Sequence, residues 1–221
     1  MARPYAAVVG AVNMDIWGRS FDMLIPRDSN PGEIRFSPGG VGRNIAHNLR
    51  LLGVETEMLT ALGGDVWAGQ LEESCRAPLF VDPVSVTKAK KLRPFLHRIH
   101  TFKPNALEAA ALTGETDPAT AAVALVEAGV KRVFVSDGPG GMVCAHGPDV
   151  YHILCPATEL VNATGGGDAA MAGLCRAFLD GRDIVSDARY ALAAGSLAVE
   201  CAGSINPALS DRAVRRRMAE K

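Results

Sequence analysis

Three consecutive glycines running into an aspartate carry the strongest chemical signal in this sequence: Val161-Asn162-Ala163-Thr164-Gly165-Gly166-Gly167-Asp168-Ala169-Ala170-Met171-Ala172-Gly173. Glycine has no Cβ, so its backbone can lie close against a ligand or take φ > 0. The small residues from Asp168 to Leu179 predict a helix that opens at the glycines. Free N–H groups and the positive end of the helix dipole make such a mouth an anion site. A carboxylate there repels a bound phosphate. It makes chemical sense as a base that takes the proton of a hydroxyl attacking a phosphoryl group. An aspartate N-cap after a flexible turn has the same sequence.

Three further groups have suggestive spacing. Asn13 and Asp15 follow the apolar run Tyr5–Val12, and residues i and i+2 of an extended segment point to one side. They could fork onto adjacent hydroxyls of a sugar, or form an Asx turn. Gly39 and Gly40 precede a helical pattern of Ile45, Ala46, Leu49 and Leu52, which places Asn44 in its first turn. Those glycines suit either a close ligand or an ordinary loop with its cap. Asn105 and Glu108 are three apart at the start of another helix, a spacing that serves a shared ligand or a capping box.

The elements that position these residues alternate strand and helix. Strands are expected at 5–12, 54–62, 79–82, 101–105 and 132–136, with an antiparallel pair at 142–145 and 150–154. Helices are expected at 45–52, 66–76, 88–98, 106–112, 119–128, 168–179 and 186–201, and in the basic tail 212–221. The turn cluster Pro26–Gly32 sits between two strand-like pieces, a hairpin or lid over about 12–37. One junction is irregular: a helix ending at Arg76 meets a strand at Ala77 with no linker, where a few residues are normal. Either a segment is missing between 76 and 77, the reading favoured here, or the boundary between helix and strand lies elsewhere.

Composition narrows the function classes. The 221 residues are enough for a single domain, residues 1–221, with a substantial core. A net charge of −1 with 48% hydrophobic residues argues against nucleic acid or an anionic membrane as partner. No apolar run spans a bilayer, and the N-terminus lacks a secretory layout. Five scattered cysteines without a C-x-x-C pair fit reduced thiols, so a cytoplasmic location is expected. There is no G-x-x-x-x-G-K-[ST] loop and no dinucleotide fingerprint after the first strand, which disfavours P-loop and NAD-type readings.

Taken together, Gly10–Asp15, Gly39–Asn44, Lys103–Glu108, Ser136–Gly141 and Thr164–Asp168 resemble, in order and over nearly the whole chain, the ribokinase-like (PfkB) family of carbohydrate and nucleoside kinases. The family signature is usually G-A-G-D, and Gly166 stands in for its alanine, so alanine there should be tolerated. The resemblance implies an α/β fold, a Rossmann-like three-layer α/β/α sandwich with a small β lid. It implies Asp168 as catalytic base and the N–H groups of Gly165, Gly166 and Gly167 as anion hole. Asn13, Asp15, Gly40 and Asn44 would hold the sugar. Ser136, Gly138, Gly141, Thr164 and Asn206 would line the ATP side, and Asn105 and Glu108 would organise Mg²⁺ through water. A monovalent cation such as K⁺ and a homodimer through the lid also follow from the resemblance. Asn162 stands where the family often has Asp, which bears on that cation. SPGGVGRNIAHNL, APLFVDPVS and TFKPNALEAAAL look most like pseudouridine kinases, implying conversion of pseudouridine to its 5′-phosphate. The alternatives are another sugar or nucleoside kinase of the family (ribose, adenosine, a sugar phosphate), or a catalytically weak binding protein on this scaffold. Relatives carry further lid strands and core elements between the residues equivalent to 76 and 77.

Overall fold

The computed structural model describes residues 5–11, 13–27, 29–59 and 78–220, with backbone alone for 13, 14, 36–38 and 59. The helix expected over 66–76 and the seam between 76 and 77 lie outside the described residues.

The N-terminal part contains β1 (Tyr5–Val9), β2 (Asn13–Ser20), β3 (Gly32–Gly39), α1 (Val41–Leu51) and β4 (Glu55–Leu59). β1 pairs with β4 in parallel, Tyr5 beside Glu55 and Val9 beside Leu59. β2 and β3 form the expected hairpin, Asn13 opposite Gly39 and Ser20 opposite Gly32, so the lid spans 13–39. Asn30 closes its turn: the side-chain oxygen accepts from Ile25 N (2.7 Å) and the amide nitrogen donates to Ile25 O (2.9 Å). Asn13 and Asp15 occupy alternate positions of β2, an extended segment rather than an Asx turn.

The rest is built on a five-stranded sheet in the order β5 (Phe80–Val81), β6 (Thr101–Phe102), β7 (Arg132–Ser136), β8 (Met142–His146), β9 (Asp149–Ile153). β5, β6 and β7 are parallel, and β8 and β9 return antiparallel. The crossover after β5 begins as α2 (Val86–Ala89) and tightens into a 3₁₀ helix over Lys90–Arg98, where the spacing predicts a single helix over 88–98. Pro94 accounts for the difference, because it donates no N–H and its ring would strike the carbonyl four residues back in an α-turn. α3 (Ala106–Thr113) and α4 (Pro118–Glu127) follow β6, and α5 (Gly166–Leu179), α6 (Ile184–Ala198) and α7 (Asp211–Ala219) follow β9.

Alternation along the central strands makes the three layers. Val133, Val135, Val143 and Ala145 face one core with Phe102, Leu112 and Leu125 of the α3/α4 side. Phe134, Met142 and Cys144 face the other with Leu174, Ala188 and Leu192 of α5 and α6. α5 and α6 touch backbone to backbone at Gly173, where a Cβ would lie 2.9 Å from Ala191 Cα. The buried Arg132 ties β7 to α6 through Asp187, its guanidinium between the rings of Phe134 and Phe178 at 5.4 and 5.6 Å. Among the described residues, β1 and β4 bond to each other and not to the five-stranded sheet. Ala6, Val8 and Phe80 nevertheless pack on one cluster formed by α1, α5, α6 and α7.

Candidate active site

The C-terminal ends of β5 and β6 and the N-terminus of α5 come together, as ligand crevices do in open α/β sheets. Asp82 follows β5 and Lys103 follows β6. Lys103 is only 4% exposed, and its Nζ lies 2.8 Å from Asp82 Oδ2. A Cβ on Gly167 would sit 3.6 Å from that same Nζ, so the buried ammonium stands beside the glycine turn.

Gly165 is the N-cap of α5 in the left-handed conformation (φ 90°), with the Ser204 carbonyl packed against its Cα where a side chain would have to be. Gly166 and Gly167 belong to the first helical turn. The expectation of φ > 0 therefore holds at 165 and fails at 167, because the helix starts two residues earlier than the pattern suggests. Ala169 N donates to Gly165 O (2.9 Å), which leaves the N–H groups of Gly166, Gly167 and Asp168 in the turn that has no intrahelical acceptor. Alanine at 166 is also not the neutral change that the resemblance implies. A Cβ there would lie 2.7 Å from Val199 Cγ1, a stiff β-branched neighbour, so the space of the usual alanine is filled by the residue that ends α6.

Asp168, at the third helical position, hangs from α1: Asn44 Nδ2 donates to its Oδ2 at 2.8 Å, and Asn44 Oδ1 in turn accepts from Arg43 Nη1 at 3.1 Å. Burial pushes its carboxyl up to about 6, and the negative charge of Asp82 adds to the rise against the opposing pull of Asn44 and Lys103. The side chain is thus ionised near neutrality yet close enough to titration to accept a proton. Asn44 thus touches Asp168 itself, where the resemblance implies only a sugar contact.

Gly40 caps α1 with φ 102°, and the end of β1 packs against that helix so tightly that a Cβ on Gly10 would lie 2.9 Å from Gly42 Cα. The Asp15 carboxylate lies against Gly39, next to Gly40, so the lid strand and the first turn of α1 share one rim.

Asn105 and Glu108 make a complete capping box at α3: Asn105 Oδ1 accepts from Glu108 N and Glu108 Oε2 from Asn105 N, both at 2.9 Å. Glu108 is 4% exposed, and burial raises its carboxyl above the ordinary range. The capping reading is the one observed here, and the box also brings a buried carboxylate within electrostatic reach of Asp82 and Lys103. Three carboxylates against one ammonium leave this crest net negative. Among the described residues no three acidic, His or Cys side chains cluster as direct metal ligands. The set fits an ion that keeps its own waters and arrives with phosphates, as Mg²⁺ does.

Ser136, Gly138 and Gly141 form the turn after β7, joined to α3 by the bridge between Asn105 and Ser136 and by Ser136 N donating to Pro104 O (3.0 Å). Asn206 is engaged within the fold. Its amide nitrogen donates to Leu197 O (2.7 Å) near the end of α6, and its Oδ1 accepts from Ala208 N (2.9 Å). Thr164 N donates to Asn162 Oδ1 (3.0 Å), fixing the approach to the glycines. Lys103 and Asp82 are site residues that the sequence reading leaves out. Their signal is a charged residue at the end of each of two short apolar strands, Leu79–Asp82 and Thr101–Lys103.

The chain matches the pfkB family carbohydrate kinase profile in two stretches, 3–78 and 75–212. It is 30% identical to pseudouridine kinase of Escherichia coli (strain K12) over 295 positions, covering 94% of each chain. That span exceeds the 221 residues present, so the relative carries internal residues with no counterpart here. Among solved structures, Arabidopsis thaliana ribokinase complexed with ribose and ATP superposes with a TM-score of 0.77 at 19% identity, covering 100% of both chains. Escherichia coli phosphofructokinase-2 in complex with potassium gives 0.75 at 20% identity, covering 99% of both. The glycine turn, its buried aspartate and the ribokinase fold that carries them thus have one common source: the chain belongs to the pfkB family of carbohydrate kinases, and is an ATP-dependent sugar or nucleoside kinase.

Proposed function

We propose that this kinase transfers the γ-phosphoryl group of ATP to the 5′-hydroxyl of a ribosyl acceptor, with pseudouridine as the preferred one. The observation that carries the chemistry is the Asp168 carboxyl, held by Asn44 at the mouth of α5 and raised to about 6. Asp168 accepts the proton of the 5′-hydroxyl as the new O–P bond forms and the bond to the β-phosphate oxygen breaks, with ADP leaving. The N–H groups at the start of α5 face the charge that develops on the transferring group, and the dipole of α5 acts in the same direction. Lys103, released from Asp82 by the incoming phosphates, adds its positive charge beside Gly167. Asn13, Asp15 and Gly40 hold the sugar at the rim shared by lid and α1. Ser136, Gly138, Gly141, Thr164 and the backbone around Asn206 form the ATP side.

Mg²⁺ bound with the nucleotide would neutralise phosphate charge, and Asp82, Glu108 and Asn105 would hold its waters. The acceptor assignment is supported by the 30% identity to pseudouridine kinase over nearly the full length of both chains. The test is ADP release with pseudouridine, uridine, adenosine, ribose and fructose 6-phosphate. A kcat/KM for pseudouridine above the other four is expected. Preference for ribose or adenosine removes the acceptor and leaves the kinase.

A second reading is favoured by one observation: among the described residues β1 and β4 pair with each other and not with β5, and the two family matches meet at 75–78. On that reading a segment of the family's sheet and lid is absent between 76 and 77, and the protein binds nucleotide and sugar but turns over slowly. Intact mass together with the same assay separates the two, since slow turnover of all five acceptors by a chain of the expected mass supports the second.

The lid also supports self-association in a cytosolic homodimer. Ile16, Trp17 and Ile34 on its strands and Phe21, Met23, Leu24 and Ile25 at its tip are exposed, a concentration of apolar surface of the kind that marks an interface.

A further inference from the structure

The family resemblance and the potassium-bound neighbour both raise the question of a monovalent cation beside the glycine turn. The residues of this chain do not fit one. Such an ion needs several oxygens free to replace its hydration shell, usually carbonyls, and a nearby negative charge. At the position where a carboxylate is common, Asn162 is neutral and both ends of its amide are used. Its Nδ2 donates to the Ala202 carbonyl at 2.8 Å, and its Oδ1 accepts from Thr164 N at 3.0 Å.

The carbonyls that follow each already hold one partner, and with no carboxylate at 162 nothing draws their second lone pairs onto an ion. The single S–H of Cys201 is shared between Gly203 O and Ile205 O, at 3.2 and 3.4 Å. Val199 O accepts from Val161 N and Asn162 N at 2.9 and 3.0 Å, and Ser204 O is pressed against Gly165. The nearby Glu200 carboxylate is spanned by Arg217 at 2.8 and 3.0 Å, which holds it below the ordinary carboxylate range.

We propose that the Asn162 amide takes the place of a monovalent cation: it clips the 199–205 segment to the glycine turn, and the protein folds and works without K⁺. The two segments it joins are those that shape the N-cap at Gly165, so the clip sets the position of the helix mouth that receives phosphate. This inference rests on the kinase reading for turnover but not for stability.

The experiment compares KCl, NaCl and choline chloride at one ionic strength of about 0.15 M. Melting of the wild-type protein should not respond to the choice of cation. Asn162→Asp, which frees Ala202 O and restores a carboxylate, should gain a K⁺-specific rise of about 2 °C or more. Turnover of the best acceptor by the wild type should be the same in all three salts, while that of Asn162→Asp should become K⁺-activated by about fivefold or more. Asn162→Ala should melt lower than wild type and remain indifferent to the cation.

A K⁺-specific stabilisation or activation of the wild type overturns the proposal, as does an Asn162→Asp protein that folds and ignores K⁺. If Asn162→Asp does not fold, wild type and Asn162→Ala still decide, because K⁺ sensitivity in either sinks the clip. If no acceptor is phosphorylated, the kinase reading fails while the melting comparison still stands or falls alone.

Discussion

At the scale of single residues, the environment of Asp168 makes two opposite demands on one side chain. Its folded-state pKa, about 6, lies above the unfolded 3.8. The stabilising contribution is therefore complete below about pH 4 and is lost as pH rises through 6, so the ionised form strains the fold at neutrality. Asp168→Asn should lower kcat by about 10²–10⁴-fold with ATP affinity nearly unchanged. It should also raise stability at pH 7.5 by about 1–3 kcal/mol, a gain that shrinks toward zero by pH 4. Urea titrations at several pH values check the sign, and equal stability of variant and wild type at pH 7.5 removes the strain. In the wild type, log kcat/KM should fall with unit slope below about pH 6, as the free-enzyme base titrates. Lys103→Met should reduce kcat by about 10²-fold or more and leave Asp82 with an unpaired charge. Gly166→Ala should cost about 1–3 kcal/mol through its contact with Val199, and Val199→Ala in the same chain should recover most of it, a coupling read from a double-mutant cycle. Asp168 and the glycines are visible in the sequence because catalysis and helix geometry write both into one short stretch. Val199 and Lys103 are hidden there because their relation to that stretch exists only across the packed layers.

At the scale of elements, the helices are legible and several of their starts are not. The spacing of Asn105 and Glu108 reveals the box that caps α3, whereas Asp117 and Asp183, which cap α4 and α6, lie just outside the helices expected over 119–128 and 186–201. The 3₁₀ stretch at Lys90–Arg98 is not legible either, although Pro94 is in view, because amphipathic spacing outweighs one proline in the pattern. The two functions of the capping box can be separated by substitution. Asn105→Ala should lower stability by about 0.5–2 kcal/mol. Glu108→Gln keeps an acceptor for Asn105 N and removes the charge, so stability should hold while the Mg²⁺ concentration needed for half-maximal turnover rises severalfold. Unchanged Mg²⁺ dependence would confine Glu108 to capping.

At the scale of the whole molecule, the layered α/β order is readable from strand–helix alternation, whereas the strand order among the described residues is not, since strand neighbours are set by crossovers rather than by local pattern. The proposed lid dimer is open to a direct test. Trp17→Glu together with Ile34→Lys should shift a dimer to monomer in sedimentation velocity while the melting temperature of the core changes little. A wild-type monomer at all concentrations tested would end the dimer proposal. The bond from Asn44 to Asp168 joins residues 124 positions apart. Until α1 has docked on α5, Asp168 is an ordinary solvated carboxylate beside an unshaped glycine turn. On the proposed mechanism the ability to abstract a proton therefore arrives late, with tertiary structure, and a half-folded chain that happens to bind ATP is a harmless one, unable to squander it.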